Sequence, residues 1–217
     1  MRADVVEPVG GRAKRALDLL VAVPLVVLTL PVMLVIAVLV RRDSPGPALY
    51  RQARIGFAGR PFTLLKFRTM VVGAEHMGAG LAVLAGDDRI TPLGHTLRRL
   101  SLDELPQLWN IVRGDMSLVG PRPTVASQVE RYTPHQRRRL LARPGLTGLA
   151  QVSGRNTIPW SERIEIDVTY VDRWTMRRDL AIMLRTALVV LRREGTYKGP
   201  RGGFDLPDLP GPGAADG

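Results

Sequence analysis

Hydrophobic residues gather in one block near the amino terminus and thin into short periodic stretches beyond it. Leu19 to Val40, LLVAVPLVVLTLPVMLVIAVLV, runs 22 residues without a charge. As an unbroken helix at about 1.5 Å per residue it would cover roughly 33 Å, enough for the hydrocarbon core of a bilayer. It is too long for the apolar core of a cleaved signal peptide, and no small-residue cleavage site follows it. Pro24 and Pro31 each remove a backbone hydrogen bond, and a kink is expected at the central Pro31. Basic residues flank both ends: Arg12, Lys14 and Arg15 before, Arg41 and Arg42 after. Basic flanks favour the cytoplasmic side, and a crossing helix cannot keep both there. A re-entrant helix bent at Pro31 can. An ordinary tilted span is the alternative, since prolines occur in such helices.

After Arg42 the pattern changes. SPGP, Ser44 to Pro47, is a turn-rich exit. ALYRQARIG and RPFTLLKFRTM flank Phe57, Ala58 and Gly59, which predicts a short β-hairpin. Val71 to Arg89 is Gly- and Ala-rich and reads as loop with some helix. Leu93 to Arg113 holds helical spacing, interrupted at Ser101 and Pro106. Gly114 to Pro123, GDMSLVGPRP, reads as loop, and a short basic helix follows around Pro134 to Leu141. RPGLTG, Arg143 to Gly148, is a second Pro/Gly stretch. Ser161 to Trp174 and Arg178 to Arg193 predict two further helices. The second carries Leu180, Met183, Leu184, Ala187, Leu188 and Leu191 at helical spacing. Core packing is the expected fate of that stripe; a place at the membrane interface is the alternative. The organisation expected is an α+β fold, mostly α. An anchor spans 1–42, a small cytosolic domain 43–198 and a disordered Pro/Gly-rich tail 199–217.

Charge narrows the partners. Lys and Arg number 31 against 20 Asp and Glu, a net charge of +11, which suits anionic lipid, nucleic acid or phosphorylated small molecules. With aromatics at 5%, no stacking pattern and no zinc-ligand spacing, nucleic acid is not an expected partner. The absence of cysteine excludes disulfides, thiolate metal sites and a Cys nucleophile.

The sharpest local feature is SLDEL, Ser101 to Leu105. Adjacent carboxylates suggest an acid nucleophile or a magnesium site, because magnesium needs only one or two carboxylates when a diphosphate supplies other ligands. Ser101-x-x-Glu104 also matches a helix capping box, and local pattern alone favours that reading. The second feature is arginine set among Gly and Pro: Arg122 in GPRP, Arg143 in RPG, and Arg155 with Asn156 in GRN. Rigid turns suit arginine for gripping phosphate oxygens, although a single arginine is more often a solvated charge. Lys66 and Arg68 in KFRTM and Arg98 before the dyad add donors. Asp167 and Tyr170 face either a pocket or their own fold. His76, His95 and His135 lack ligand spacing, and no Walker loop, dinucleotide motif or serine triad is present.

In order along the chain stand KRALDLL, the Pro-broken apolar run, GPALYRQARIG, RPFTLLKFRTM, TPLGHTLRRLSLDELPQLWNIVRGDMSLVGPRP and RPGLTGLAQVSGRN. This series, from about Lys14 to Glu194, closely resembles the bacterial sugar transferase family, the monotopic polyprenyl-phosphate phosphoglycosyl transferases, in its minimal form. The resemblance implies a re-entrant helix, magnesium (Mg2+) as cofactor and ping-pong chemistry on a UDP-sugar and a polyprenyl phosphate, at the cytoplasmic face among membrane lipids. It makes Asp103 the nucleophile and Glu104 the metal ligand. Lys66, Arg68, Arg98, Arg122, Arg143, Arg155, Asn156 and Asp167 become substrate-binding positions. A tethered, non-catalytic binding protein of the same fold is the alternative. One departure concerns the bend: such proteins often carry Ser-Pro, where this chain has Leu30-Pro31. Thr29 is the candidate to satisfy the freed carbonyl.

Overall fold

The structure is a computed structural model that describes residues 7–77, 86–154 and 158–192. It is a mostly helical α+β fold with one long apolar helix at the amino-terminal end. Helix α1 (Gly11–Asp43) stays helical through Pro24 and Pro31. The carbonyl that Pro31 leaves without an amide partner is that of Val27, four residues back. Thr29 Oγ1 donates instead to Leu25 O at 2.6 Å, so Thr29 does not fill that gap.

Strands β1 (Leu49–Ile55) and β2 (Pro61–Phe67) form the expected antiparallel hairpin, with Leu49 opposite Phe67 and Ile55 opposite Pro61. Helices α2 (Pro92–Arg99) and α3 (Gln107–Arg113) follow, with a 3-10 turn at Leu102–Glu104 between them. The interruptions at Ser101 and Pro106 therefore stand where the residues placed them. The stretch Gly114 to Pro123, read as loop, contains strand β3 (Ser117–Val119). It pairs in parallel with β4 (Gly145–Thr147) from the second Pro/Gly stretch. Gly120, Gly145 and Gly148 make that pairing possible. A Cβ on Gly120 would lie 2.2 Å from the Arg143 carbonyl oxygen, and one on Gly148 2.2 Å from the carbonyl oxygen of Gly120. The chain continues through the short helices α4 (Ala126–Val129), α5 (Pro134–Arg137) and α6 (Leu149–Ser153) to α7 (Trp160–Asp172) and α8 (Met176–Arg192).

Both ends of α1 rest on this one domain. At its amino-terminal end Lys14 Nζ meets Asp179 Oδ2 at 2.5 Å, both buried, and Asp179 also accepts from Tyr170 OH (2.7 Å) and Trp174 Nε1 (3.0 Å). Arg15 donates to Ile111 O and Val112 O at 2.6 and 2.8 Å, covering the open carbonyls at the end of α3. Asp18 Oδ1 accepts from Ser117 Oγ and Leu118 N, each at 2.9 Å. At the other end Ile36 and Val40 are buried with Phe67 and Leu97. The face between, including Leu20, Val27, Leu28 and Leu34, is exposed. Each such side chain forgoes about 1.5–3 kcal/mol when left in water rather than buried.

Helix α8 corrects the expected core stripe. Ile182 is buried, with Met183 packed beside it, whereas Leu180, Leu184 and Leu188 are exposed. Asp179 is pinned by Lys14, and that fixes the rotation of α8 and turns the leucines outward. The tail 199–217, and Arg155 and Asn156, lie outside the described residues.

Asp179→Asn leaves Lys14 buried without its counter-charge. It should lower stability by about 3–5 kcal/mol, read as a fall in the denaturant midpoint of the detergent-solubilised protein. A loss under about 1 kcal/mol would show that the latch is not what seats α1.

Candidate active site

The dyad sits on the 3-10 turn between α2 and α3. Helix α2 opens on Thr91, whose Oγ1 accepts from Gly94 N at 3.0 Å, and ends when Ser101 turns into the left-handed region at φ 57°. That conformation costs a non-glycine residue about 1–2 kcal/mol. The Ser101 side chain makes no capping bond, and Glu104 reaches elsewhere. The capping box favoured by local pattern is therefore absent, and the strained turn carries the carboxylates instead.

Glu104 Oε1 accepts from Arg122 NH2 at 2.6 Å and from Lys66 Nζ at 3.2 Å. Burial opposes its ionisation, but Arg122 and Lys66 outweigh burial and hold its carboxyl far below the usual carboxylate range. Asp103 is buried at 8% exposure, and its carboxylate takes no hydrogen bond from the described residues. Burial first, and the charge of Glu104 second, push it up to about 6, against the pull of Lys66, Arg98 and Arg122. One carboxylate is thus locked by two cations and the other left unpaired, a separation of roles typical of catalytic acid pairs.

The surrounding elements deliver each group. Asn110 on α3 accepts from Leu65 N (3.0 Å) and donates to Thr63 O (2.7 Å), stapling β2 over the dyad so that Lys66 reaches Glu104. Arg122 is held through its backbone: Arg139 NH2 donates to Arg122 O at 3.0 Å and to Asp167 Oδ2 at 2.6 Å. Arg139 also donates to Tyr132 OH at 2.6 Å and lies over the Tyr132 and Trp160 rings. Asp167 therefore positions the GPRP loop from behind. Arg98 acts on Asp103 by charge and donates a long 3.4 Å bond to Thr69 Oγ1.

Lys66, Arg98, Arg122, Asp103 and Glu104 come together; Arg68 and Arg143 do not join them. Arg68 caps the end of α1 and its exit loop, donating to Val40 O, Ser44 O, Ser44 Oγ and Pro47 O at 3.3, 2.8, 2.6 and 2.7 Å. Arg143 donates to Gly114 O at 3.1 Å, behind α3. Asn110 and Arg139 were not singled out by the sequence. An asparagine inside a helix and an arginine in a basic run carry no local sign of the loops they hold.

Glu104 Oε2 takes no hydrogen bond from the described residues, and the neighbouring Asp103 carboxylate is also open. Two carboxylates fit a magnesium ion that completes its shell with substrate phosphate. No group of three or more His, Cys, Asp or Glu able to hold a metal occurs among the described residues.

The buried Asp103 thus lies among the cations Lys66, Arg98 and Arg122, on a domain clasping a helix long and apolar enough to cross a membrane. The family model described as bacterial sugar transferase matches residues 9–193, and the chain belongs to that family. It is 42% identical over 198 residues to the undecaprenyl-phosphate galactose phosphotransferase of Salmonella typhimurium, covering 85% of this chain and 41% of that protein. It is 45% identical over 192 residues to the UDP-glucose:undecaprenyl-phosphate glucose-1-phosphate transferase of Caulobacter vibrioides, covering 85% and 72%. It is 41% identical over 206 residues to the exopolysaccharide production protein ExoY of Rhizobium meliloti, covering 88% and 91%. The chain spans about two fifths of the length of several curated relatives it matches.

Glu104→Gln removes the like charge that raises Asp103 and releases Lys66 and Arg122 toward it. Both effects lower the Asp103 titration midpoint, so carboxylate NMR should place it below about 6. A midpoint that stays or rises would contradict this charge arrangement.

Proposed function

We propose that this chain is a phosphoglycosyl transferase that moves a sugar 1-phosphate from a UDP-sugar to polyprenyl phosphate, through a covalent intermediate on Asp103. The observation that carries this reading is the unpaired Asp103 carboxylate beside a Glu104 locked by Lys66 and Arg122. A nucleophile attacking an anionic phosphorus needs an ionised oxygen and nearby positive charge, and here the two are set together before substrate arrives.

In the first half-reaction Asp103 bonds to the β-phosphorus and the bond to the bridging oxygen breaks, its electron pair leaving with UMP. In the second, the phosphate oxygen of the polyprenyl phosphate attacks the same phosphorus, and Asp103 departs as carboxylate. Lys66, Arg98 and Arg122 neutralise the charge that gathers on the phosphoryl oxygens during both steps. Glu104 keeps Lys66 and Arg122 in place. Its free Oε2, with Asp103, is where magnesium fits, and the chemistry that ion supplies is added neutralisation of the diphosphate.

A re-entrant α1 follows from the same reading. Its two ends are latched to one domain, at Asp179, Ser117 and Leu118 on one side and at Phe67 and Leu97 on the other. A helix crossing the bilayer would part those ends. Seating the exposed apolar face in one leaflet, bent near Pro31, leaves residues 43–198 as a domain on the cytoplasmic face, beside its lipid acceptor. The pathway proposed is initiation of a surface glycoconjugate such as exopolysaccharide.

Membranes holding the protein, given UDP-sugars, magnesium and no acceptor, should release UMP and add a sugar phosphate to the peptide containing Asp103. Asp103→Asn should do neither while remaining folded; UMP release by that variant would remove Asp103 from the role. Because Asp103 must be ionised, kcat/KM for the donor should hold above pH about 6 and fall about tenfold per unit below it. The chain has no cysteine, so single cysteines at Arg12 and Arg60 report topology directly. Labelling of both from the same side is expected, and labelling from opposite sides would end the re-entrant model.

A further inference from the structure

One arginine near Arg122 has no place in the scheme above. In the hairpin register Arg54 pairs with Phe62, Gln52 with Leu64 and Tyr50 with Lys66. Paired residues share a face of the sheet, so Arg54 and Gln52 lie on the face that sends Lys66 to Glu104. The strand's burial alternates accordingly, with Arg51 and Ala53 exposed and Gln52 and Arg54 half-buried. The end of β1 is fastened to the GPRP loop, because Ile55 N donates to Thr124 O at 2.8 Å. Ile55, Gly56 and Arg122 line one small cavity there.

Arg54 is held by a neutral partner. Its Nε and NH2 both donate to Gln52 Oε1, at 3.0 and 2.5 Å. It makes no ion pair among the described residues, whereas Arg89, Arg113, Arg122, Arg138 and Arg139 each meet a carboxylate. Burial and the charge of Arg122 draw its guanidinium down to about 10, so it remains charged at neutral pH. A half-buried cation set against another cation is unfavourable until an anion joins them. Lys66, Arg98 and Arg122 already stand against Asp103 and Glu104, and Arg54 extends that positive excess outward from Arg122, to two charges in all. That excess suits a doubly charged diphosphate diester.

We propose that Arg54, held by Gln52 and set beside Arg122, binds the phosphate that departs when Asp103 attacks, the monophosphate of the leaving nucleotide. The proposal rests on the phosphoglycosyl reading. In the step concerned the phosphorus–bridging-oxygen bond breaks, and the electron pair stays on that oxygen. UMP therefore leaves as a dianion and needs no proton. Arg54 and Arg122 meet the charge as it forms, while Lys66 and Arg98 stay with the phosphoryl group on Asp103.

The test is UMP binding to the full chain in detergent by calorimetry, with a single-turnover measurement of UMP release without acceptor. Arg54→Gln should weaken UMP by about 10- to 100-fold, the range for a lost charge-assisted hydrogen bond, and slow the release burst similarly. The KM for polyprenyl phosphate should be unchanged. Unaltered UMP affinity and burst would overturn the proposal. So would an intact burst with a raised acceptor KM, which would give Arg54 to the acceptor's phosphate. If Arg54→Gln fails to fold, Arg54→Lys is measured. A point charge that cannot match the guanidinium fork should weaken UMP at least about fivefold, and unchanged affinity there also overturns the proposal. UMP binding needs no turnover. A wild-type protein that binds UMP but releases none from UDP-sugars defeats the reaction and leaves this subsite standing. One that does not bind UMP defeats the subsite.

Discussion

Helix α1 is held to a polar domain by both of its ends, and the remainder of the fold is arranged to satisfy that constraint. An apolar helix cannot be fixed by apolar contact alone when most of its surface stays exposed. Here polar contacts join the apolar ones that Ala22, Ile36 and Val40 make. Lys14 on Asp179 and Asp18 on the β3 backbone are buried and directional, so they set the rotation of α1 about its axis. At the far end Arg68 gathers the last carbonyls of the helix and its exit loop. The same Asp179 draws in Tyr170 and Trp174 and so orients α7 and α8. The exposed leucines of α8 are a consequence of that orientation.

The dyad works by unequal treatment of two neighbours. Lys66 and Arg122 converge on a single oxygen of Glu104. Glu104 is thereby ionised and immobile, and its charge, with burial, raises Asp103 next to it. Exchanging the two environments would leave Asp103, the proposed nucleophile, bound to cations and its neighbour open. The arrangement depends on parts that never touch the dyad. Arg139 and Asp167 set the loop of Arg122, and the close crossing at Gly120 and Gly148 sets where that loop begins.

Much of the architecture was readable along the chain because its signals are local. The hairpin announced itself by two apolar-rich stretches around Gly59, and the break between α2 and α3 by Ser101 and Pro106. The pairing of β3 with β4 was not readable, because each strand is three residues in a Pro/Gly-rich setting and the pairing joins stretches far apart in sequence. Arg68 misled for a related reason. Its motif neighbour Lys66 reaches the dyad, but residues of one strand two apart need not share a destination once the strand ends at Phe67. The helix cap suggested at Ser101 failed because the turn is left-handed there, and spacing alone carries no information about φ.

Seven-residue α3 ties the two halves of the molecule together. Its first turn follows the dyad directly, Asn110 at its middle holds β2, and Arg15 from α1 closes its last carbonyls. At about 1.5 Å per residue it is roughly 10 Å long. The seat of the apolar helix and Asp103 are therefore separated by one short, pinned rod. Under the proposed topology, that rod fixes the height of Asp103 above the leaflet holding α1. A lipid-borne phosphate is confined to one height by its own chain, so an acceptor of that kind is reached by position alone, with no large movement of the domain. A freely tumbling domain on a flexible linker would lack this. On that reading the polar latches on α1 serve the proposed chemistry as directly as they serve the fold.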